Sequence, residues 1–262
     1  MSNSTFKRRE KKLLFPVSIL DSLKADILTL MNYDSHNVNG EPYLVCNLYF
    51  DTPDDDVIRD SIQKPKYKEK LRLRSYGVPD DTTPVFLEIK RKLDGIGTKR
   101  RVILPLKEMN QYLQTRVRPQ QISELDNQIL NEIDYYLNRT GVSPRTYLSY
   151  LRIAFSGKEN PDFRVTLDYH ILSRRYDLDL KKGSYGETQL PEGYMLMEVK
   201  FKGAVPLPFQ AIMSKYNLSF GNYSKIGTSF KLHNLQQIIQ EQKPNRDIKT
   251  IKEDIAFYGR IL

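Results

Sequence analysis

Four segments of this chain carry a charged residue at every second position. Because side chains on a β-strand alternate between its two faces, each set projects to one side of a strand and the apolar residues between project to the other. The alternating residues are Lys68, Lys70, Arg72 and Arg74 in KEKLRLR, Glu88, Lys90 and Lys92 in EIKRK, Lys99 and Arg101 in KRR, and Glu198, Lys200 and Lys202 in EVKFK. One sheet face is therefore densely cationic, which suggests a concave site for a polyanion, with a divalent metal.

A solvated sheet face is the alternative for any single one of these strands, since antiparallel strands often turn a polar face to water. The combined pattern favours a site. The segment KEKLRLR places four cations on one side of one strand, and like charges opposite each other destabilise a sheet. A face with this many cations is more easily explained if an anion lies among them.

The pattern along the chain predicts an α+β fold, an eight-stranded antiparallel β-barrel with flanking helices. Helices are predicted before Met31, over 106–139, 206–218 and 228–240, with a short helix or loop at 54–65. No linker interrupts the pattern, so we expect one domain over 1–262, with a core of about 6–240 and a tail, 241–262, that is either a solvated helix or a partner contact. Strands are predicted at 6–15, 41–53, 66–77, 84–95, 97–105, 145–157, 162–174 and 194–203.

Charge and cysteine content limit the classes of function. The net charge is +9, which raises the local concentration of anions without identifying one. The single cysteine, Cys46, lies in an apolar run, so we expect a buried thiol, no internal disulfide and no zinc cluster. No signal peptide or membrane-spanning run is visible, which predicts a soluble protein of the reducing cytoplasm. Nucleic-acid binding is disfavoured because the cations recur on strands rather than on a recognition helix.

Eight short motifs, taken in order, resemble those of VTC (vacuolar transporter chaperone) polyphosphate-polymerase domains. The resemblance runs from Phe6 to about Phe230. VTC domains are triphosphate tunnel metalloenzymes related to CYTH proteins, so the resemblance implies an eight-stranded tunnel that binds a triphosphate end-on with Mn2+ or Mg2+. The motifs are Glu10-x-Lys12, Asn47-Leu-Tyr-Phe-Asp51-Thr, Arg72-x-Arg74, Glu88-x-Lys90, Lys99-x-Arg101, Ser149-Tyr150-x-Arg152, Glu198-x-Lys200 and Tyr223-Ser224-Lys225.

The resemblance also implies roles for individual residues. Arginine can grip phosphate oxygens bidentately, while lysine supplies a point charge. Lys70 and Lys92 join the phosphate-binding set because they share the charged face, and Tyr150 is expected either to donate its hydroxyl to a phosphate or to pack. The phosphate-binding residues implied by similarity are Lys12, Arg72, Arg74, Lys90, Lys99, Arg101, Arg152, Arg164, Lys200, Ser224 and Lys225.

Glu198 is the main metal-ligand candidate, since a hard divalent cation takes oxygen ligands and retains waters and phosphates as its other partners. Glu88 and Glu10 are further candidates, which either bind a second metal or orient neighbouring cations. Together with Glu198, the residues expected to act on the reacting phosphate are Lys12, Arg72, Arg74, Lys90 and Arg152. The three histidines, His36, His170 and His233, share no spacing and are expected to be structural or exposed.

The leading functional hypothesis is a polymerase that transfers the γ-phosphate of ATP to a growing polyphosphate chain. CYTH proteins begin with Glu-x-Glu-x-Lys, whereas Arg8 stands at the first acidic position here, which resembles the polymerase branch. Two alternatives remain, a tripolyphosphatase or nucleoside triphosphatase on the same site, and a non-catalytic polyphosphate sensor. The expected partners are ATP and polyphosphate or tripolyphosphate. Translocation would need a separate membrane partner, which the sequence does not identify.

Overall fold

An antiparallel sheet of ten strands forms the scaffold in the computed structural model, which describes residues 8–63, 65–94 and 96–242. The strands are β1 (Arg8–Pro16), β2 (Met31–Tyr33), β3 (Tyr43–Asp51), β4 (Tyr67–Tyr76), β5 (Pro84–Leu93), β6 (Ile96–Pro105), β7 (Ser143–Gly157), β8 (Arg164–Arg174), β9 (Glu187–Thr188) and β10 (Tyr194–Lys202). The helices are α1 (Leu20–Leu30), α2 (Asp56–Ile62), α3 (Leu106–Thr115), α4 (Glu124–Thr140), α5 (Leu207–Lys215) and α6 (Lys225–Gln242).

Eight long strands make the main path of the sheet, in the order β1-β10-β8-β7-β3-β4-β5-β6, and all neighbours are antiparallel. The two short strands lie off this path, since β2 pairs with β7 and β9 pairs with β8. The predicted antiparallel α+β class is confirmed. Within the described residues, however, β1 and β6 do not pair with each other, so hydrogen bonds do not close the sheet into a barrel.

The outer face of the sheet is covered by helices in two places. In the first core, Leu71, Leu87 and Ile89 pack with Leu130 and Ile133 of α4. In the second, Met197, Val199 and Phe201 of β10 pack with Leu23 and Ile27 of α1 and with Phe209 of α5. These are the apolar partners in the alternating segments, so their charged neighbours face the opposite side.

Helix boundaries follow local capping signals. Over the predicted helical stretch 106–139 the chain forms two helices rather than one, because α3 ends at Thr115 and α4 begins after Ser123. The Ser123 hydroxyl accepts a hydrogen bond from the Asp126 N–H at 3.0 Å, and Gly141, at φ 65°, ends α4 in the left-handed conformation. Among the described helices, none has the length and hydropathy needed to cross a bilayer. Residues 243–262 of the predicted tail lie outside the described residues.

Candidate phosphate-binding site

A buried carboxylate, Glu198 on β10, lies at the centre of the charged face. Its Oε1 is 2.7 Å from Nζ of Lys225 and 3.2 Å from Nζ of Lys12, and its Oε2 accepts a hydrogen bond from Arg152 at 3.4 Å. Register accounts for one contact, since Lys12 on β1 pairs directly with Glu198. Burial raises the pKa of Glu198, but Lys225, Lys12 and Arg152 outweigh it and hold the pKa well below its ordinary value.

A second carboxylate, Asp168 on β8, completes this cluster, and the sequence analysis did not identify it. It is fully buried and accepts hydrogen bonds from Arg152 Nε at 2.6 Å and Arg152 Nη2 at 2.7 Å, while Lys225 Nζ lies 2.5 Å away. Two carboxylates thus hold Arg152 and Lys225 in place. Its position could have identified it, because Asp168 stands four residues after the predicted site residue Arg164 and therefore lies on the same strand face.

Arg72 on β4 is buried and is held by two side chains. Its guanidinium forms an ion pair with Glu88 through Nη2, its Nε donates to Glu88 at 3.0 Å, and its Nη1 donates to the Tyr49 hydroxyl at 3.2 Å. Lys99 Nζ lies 3.2 Å from the other oxygen of Glu88. Burial raises the pKa of Glu88, but Arg72, Arg74 and Lys99 outweigh burial and hold the pKa below its ordinary value. Glu88 therefore forms ion pairs with two cations of the charged face, and its role in the site stays a prediction.

Arg74 joins the two halves of the charged face. Its Nε donates to Asn47 Oδ1 at 2.9 Å and its Nη2 donates to the Tyr150 hydroxyl at 3.1 Å. The Arg152 guanidinium lies 4.9 Å from the centre of the Tyr150 ring, and Lys225 Nζ lies 4.6 Å from it. Burial raises the pKa of Tyr150, but these cations outweigh it and lower the pKa below its usual value. Tyr150 thus lies inside the cationic cluster rather than in the packing of an outer face.

Lysines face one another across three strands at one end of the charged face. Lys70 pairs with Lys90, Lys90 pairs with Lys99, and Lys68 pairs with Lys92. We call these five residues the lysine mouth. Within the described part of the chain, neither Lys70, Lys90 nor Lys92 forms an ion pair. Because burial and the neighbouring lysines disfavour its charged form, the pKa of Lys70 falls to about 8, and Arg72 together with burial holds the pKa of Lys90 well below its ordinary value.

The charged face lines a cavity of about 2360 Å³. Side chains of β1 and β10 and side chains of β4 and β5 line the same cavity from opposite walls, and charge acts across it, since Lys12 contributes to the lowered pKa of Lys70 and Lys200 to that of Lys90. The sheet is therefore curled around the cavity without closing. The predicted site residues that line it are Glu10, Lys12, Lys70, Arg72, Arg74, Lys90, Lys92, Lys99, Tyr150, Arg152, Glu198, Lys200, Ser224 and Lys225.

Three predicted site residues do not line the cavity. Glu88 is buried with its oxygens on Arg72 and Lys99. The Arg101 guanidinium stacks 5.1 Å from the Phe86 ring centre. The side chain of Arg164 is 52% exposed and its Nη1 lies 3.8 Å from Asp34, so solvent and a loop carboxylate surround it. Ser224 lines the cavity but also accepts a hydrogen bond from the Gly227 N–H at 3.2 Å, as expected of a helix cap.

Two carboxylates of the cavity suit a divalent cation. Oε1 of Glu10 and Oε1 of Glu198 each lie 3.2 Å from Lys12 Nζ, so they already bracket one positive centre, and carboxylate oxygens are the donors that Mg2+ and Mn2+ prefer. Across residues 8–63, 65–94 and 96–242, no group of three or more His, Cys, Asp and Glu side chains is placed to hold a metal. A cation here would need phosphate or water as its remaining ligands.

Several solved structures resemble this chain at low identity. A candidate adenylate cyclase of Bacillus halodurans is 17% identical, with a TM-score of 0.48 over 83% of this chain and 95% of that chain. A candidate adenylyl cyclase of Hippeastrum, described as having a dominant triphosphatase activity, is 16% identical, with a TM-score of 0.44 over 83% of this chain and 92% of that chain. Similarity at this level does not transfer an activity.

The search of curated proteins found no match to this chain. The comparison with family models did find one, and it covers almost the whole of the described sheet. The model of the VTC domain matches residues 7–234, a range that contains every predicted site residue. This chain belongs to the VTC domain family.

Proposed function

We propose that this protein is a metal-dependent polyphosphate polymerase, which transfers the γ-phosphoryl group of ATP to the end of a polyphosphate chain in the cavity. The observation that carries the proposal is the lysine mouth. Cations continue there beyond the Arg72 and Glu88 row, with Lys70 facing Lys90 across the strands. A triphosphate alone needs no such extension, whereas a polymer with one charge or more per phosphate does.

The arginines of the cluster are preorganised for phosphate. Arg72 is fixed by Glu88 and Tyr49, Arg74 by Asn47 and Tyr150, and Arg152 by Asp168. Phosphoryl transfer depends mainly on positioning and on neutralising charge that is spread over the phosphate oxygens. Donors held in place before the substrate binds need little reorganisation during the reaction, so these three residues fit the role of holding the triphosphate.

Lys12 and Lys225 complete the phosphate-binding set. Each ammonium group lies against Glu198, at 3.2 Å and 2.7 Å respectively, and three donors on each allow a further bond to phosphate. Glu198 and Glu10 would hold the divalent cation, which, when bound, neutralises phosphate charge. Tyr150 donates its hydroxyl to a phosphate oxygen while Arg152 and Lys225 lie against its ring.

The acceptor chain occupies the lysine mouth in this proposal. Lys70, Lys90 and Lys92 have no carboxylate partner in the described part of the chain, so the phosphates of the acceptor supply their counter-charge. Burial and the repulsion of neighbouring lysines together lower the pKa of Lys70, and a bound polyanion would offset both. The lysine mouth is thus an unfavourable arrangement of like charges, which a bound polyanion would stabilise.

Product analysis tests the proposal. The protein is incubated with Mn2+ and ATP labelled either at the γ- or at the α-phosphate, and the products are separated on a gel that resolves polyphosphate from orthophosphate. We expect a ladder that carries the γ label and lacks the α label. Labelled orthophosphate alone would replace the polymerase with a triphosphatase on the same site, and tight tripolyphosphate binding without turnover would identify a sensor.

A further inference from the structure

Lys225 reaches the charged cluster from a helix rather than from the sheet. It is the first residue of α6, and its ammonium group lies 2.5 Å from Asp168 on β8 and 2.7 Å from Glu198 on β10. A lysine carries its charge on a flexible four-carbon stem. The position of this ammonium group therefore depends on how α6 is held against the sheet.

A chain of buried hydrogen bonds joins α6 to β8 one turn beyond Lys225. The Ser229 hydroxyl donates to the Ser173 hydroxyl at 2.8 Å, and Gln189 Nε2 donates to the same Ser173 oxygen at 2.7 Å. Ser173, Gln189 and Ser229 are 6%, 5% and 4% exposed, and we call them the serine clasp. Because a buried polar group that loses its partner is costly, these bonds fix which residues face each other.

The segment that carries Gln189 lies directly against β8. Gly186 adopts φ 138°, and a Cβ at this position would lie 2.4 Å from the Ser173 carbonyl oxygen, so only glycine permits the close approach. Beyond it, Glu187 pairs with Ser173, and the Gln189 N–H donates to the Ile171 carbonyl at 2.8 Å. These contacts bring the Gln189 amide to the Ser173 hydroxyl.

The two attachments of α6 to β8 lie on one side of the helix. Lys225 and Ser229 are four residues apart, which is about 6 Å along the helix axis, and their partners Asp168 and Ser173 both belong to β8. One contact fixes a single point of a helix, whereas two contacts a turn apart also fix its rotation and its position along the strand. The serine clasp therefore determines where the Lys225 ammonium group lies.

Other contacts of α6 supply stability without fixing this position. Phe230 is 8% exposed, and its ring centre lies 6.0 Å from the Arg59 guanidinium and 5.8 Å from the Arg175 guanidinium. Ring burial and cation–π contacts stabilise the helix but are less directional than hydrogen bonds. We therefore expect loss of the serine clasp to shift α6 rather than to unfold it.

We infer that the serine clasp positions Lys225 for phosphate binding, by fixing α6 on β8 so that the ammonium group stays between Asp168 and Glu198. Neither Ser173 nor Ser229 is among the described residues that line the cavity, so both act through Lys225 and not on the substrate. The inference rests on the proposed function, because it requires Lys225 to contact a phosphate.

Calorimetric titration of the full chain with tripolyphosphate at several salt concentrations tests the inference. Ser229→Ala removes the bond to Ser173, so affinity should fall roughly fivefold. It should also depend less steeply on salt, because an ammonium contact with phosphate is weakened. Ser173→Ala removes the same bond from the strand side and should repeat the loss, whereas Ser229→Thr keeps the hydroxyl and should restore binding. Ser214→Ala, at an exposed position on α5, is the matched control.

A Lys225→Met background shows whether the serine clasp acts through Lys225. Without the ammonium group, Ser229→Ala should cause no further loss of affinity, whereas in a Lys90→Met background the two losses should add. Urea unfolding establishes first that each variant is folded. Should Lys225→Met not fold, the salt dependence of Ser229→Ala decides, since a general weakening of the fold would leave the slope unchanged.

The outcomes separate this inference from the proposed function. Wild-type affinity and salt dependence in a folded Ser229→Ala variant would overturn the inference and leave the proposed function intact. An equal loss from Ser229→Ala with and without Lys225 would overturn it as well, because the serine would then act on the fold alone. Failure of the wild-type chain to bind tripolyphosphate would instead refute the proposed function, and with it the inference.

Discussion

The ammonium group of Lys225, the first residue of α6, lies 2.7 Å from Oε1 of Glu198 on β10. The same group lies 2.5 Å from Asp168 on β8. One side chain therefore ties the start of the last described helix to two strands of the sheet. The same contact therefore positions the start of α6 and balances the buried negative charge of Asp168 and Glu198.

Loss of Lys225 should be costly for stability. Lys225→Met leaves Asp168 and Glu198 with too little positive charge in a buried place, so we expect the free energy of unfolding to fall by about 3–5 kcal/mol, measured by urea denaturation. Lys215→Met removes an exposed lysine from its pair with Asp26 and should change stability little, because water screens exposed ion pairs. Asp168→Asn should recover part of the loss in the Lys225→Met background. Equal effects of the two lysine variants would contradict the buried-pair account.

Glu198→Gln should remove metal-stimulated turnover. The amide keeps the shape of the side chain but loses the charge that a divalent cation requires, so activity should fall at least about 100-fold. Tripolyphosphate binding should persist, because the arginines remain and one negative charge is gone. Glu192→Gln, at an exposed position on the rim of the cavity, is the control for losing a carboxylate. Unchanged metal activation in the Glu198 variant would exclude it as a ligand.

Lys70 should make polyanion binding sensitive to alkaline pH. Burial, with help from Lys68 and Lys12, lowers its pKa to about 8 in the free protein, and a bound anion favours the charged form. Tripolyphosphate affinity should be level below pH 8 and fall as pH rises above it, by up to about tenfold per pH unit for one proton. The lowered pKa acts on stability in the opposite sense, since stability rises as Lys70 loses its proton.

Lys70→Arg provides the control for that pH dependence, because the guanidinium stays charged throughout the range. Its affinity for tripolyphosphate should fall less between pH 7.5 and 9.5 than that of the wild type, a window set by the lowered pKa of Lys70 of about 8, and any fall that remains would belong to Lys90, whose pKa is also lowered. The same alkaline fall in the wild type and in Lys70→Arg would assign the titration to another group.

Lys92→Gln should shorten the product. Lys92 lies at the outer edge of the lysine mouth, level with Lys68, where the proposed function places the growing chain rather than the reacting phosphate. Losing one charge close to a phosphate should weaken polyphosphate binding by about 1 kcal/mol, roughly fivefold, and leave the rate of ATP consumption nearly unchanged. Lys24→Gln on α1 is the matched control. Products of normal length from Lys92→Gln would place the chain elsewhere.

Strand alternation made the face of each charged residue predictable. The pairings Lys70–Lys90 and Lys90–Lys99 follow from the alternation and the two hairpins, and so does the division between charged interior and helix-covered exterior. Alternation predicts which face of a strand a side chain lies on, but not whether that part of the strand lines the cavity. Arg101 and Arg164 were placed on the correct strands, yet their side chains lie outside the cavity lining, on Phe86 and near Asp34.

Features that depend on long-range contacts could not be predicted from the sequence. Asp168 pairs with a helix residue far along the chain, and a single aspartate in a mixed strand gives no local sign of that contact. The shift of the β7–β8 register between Ser149 and Leu151, near His170 at φ 47°, has no glycine to mark it. Strands β2 and β9 have three and two residues, and strands this short show no periodic pattern of apolar residues in the sequence. The start of α6 at Lys225, three residues before the predicted helix, depends on the Ser224 cap.

Calorimetric titration with tripolyphosphate tests most directly whether this cavity is a phosphate site. Arg74 joins Asn47 on β3 to Tyr150 on β7 and lines the cavity between the two charged clusters, while Arg118 pairs with Asp134 on the outer surface of α4. We expect one tripolyphosphate per chain in the wild type and in Arg118→Ala, and loss of binding and turnover in Arg74→Ala with its unfolding transition unchanged. Wild-type affinity in a folded Arg74→Ala variant would contradict the assignment.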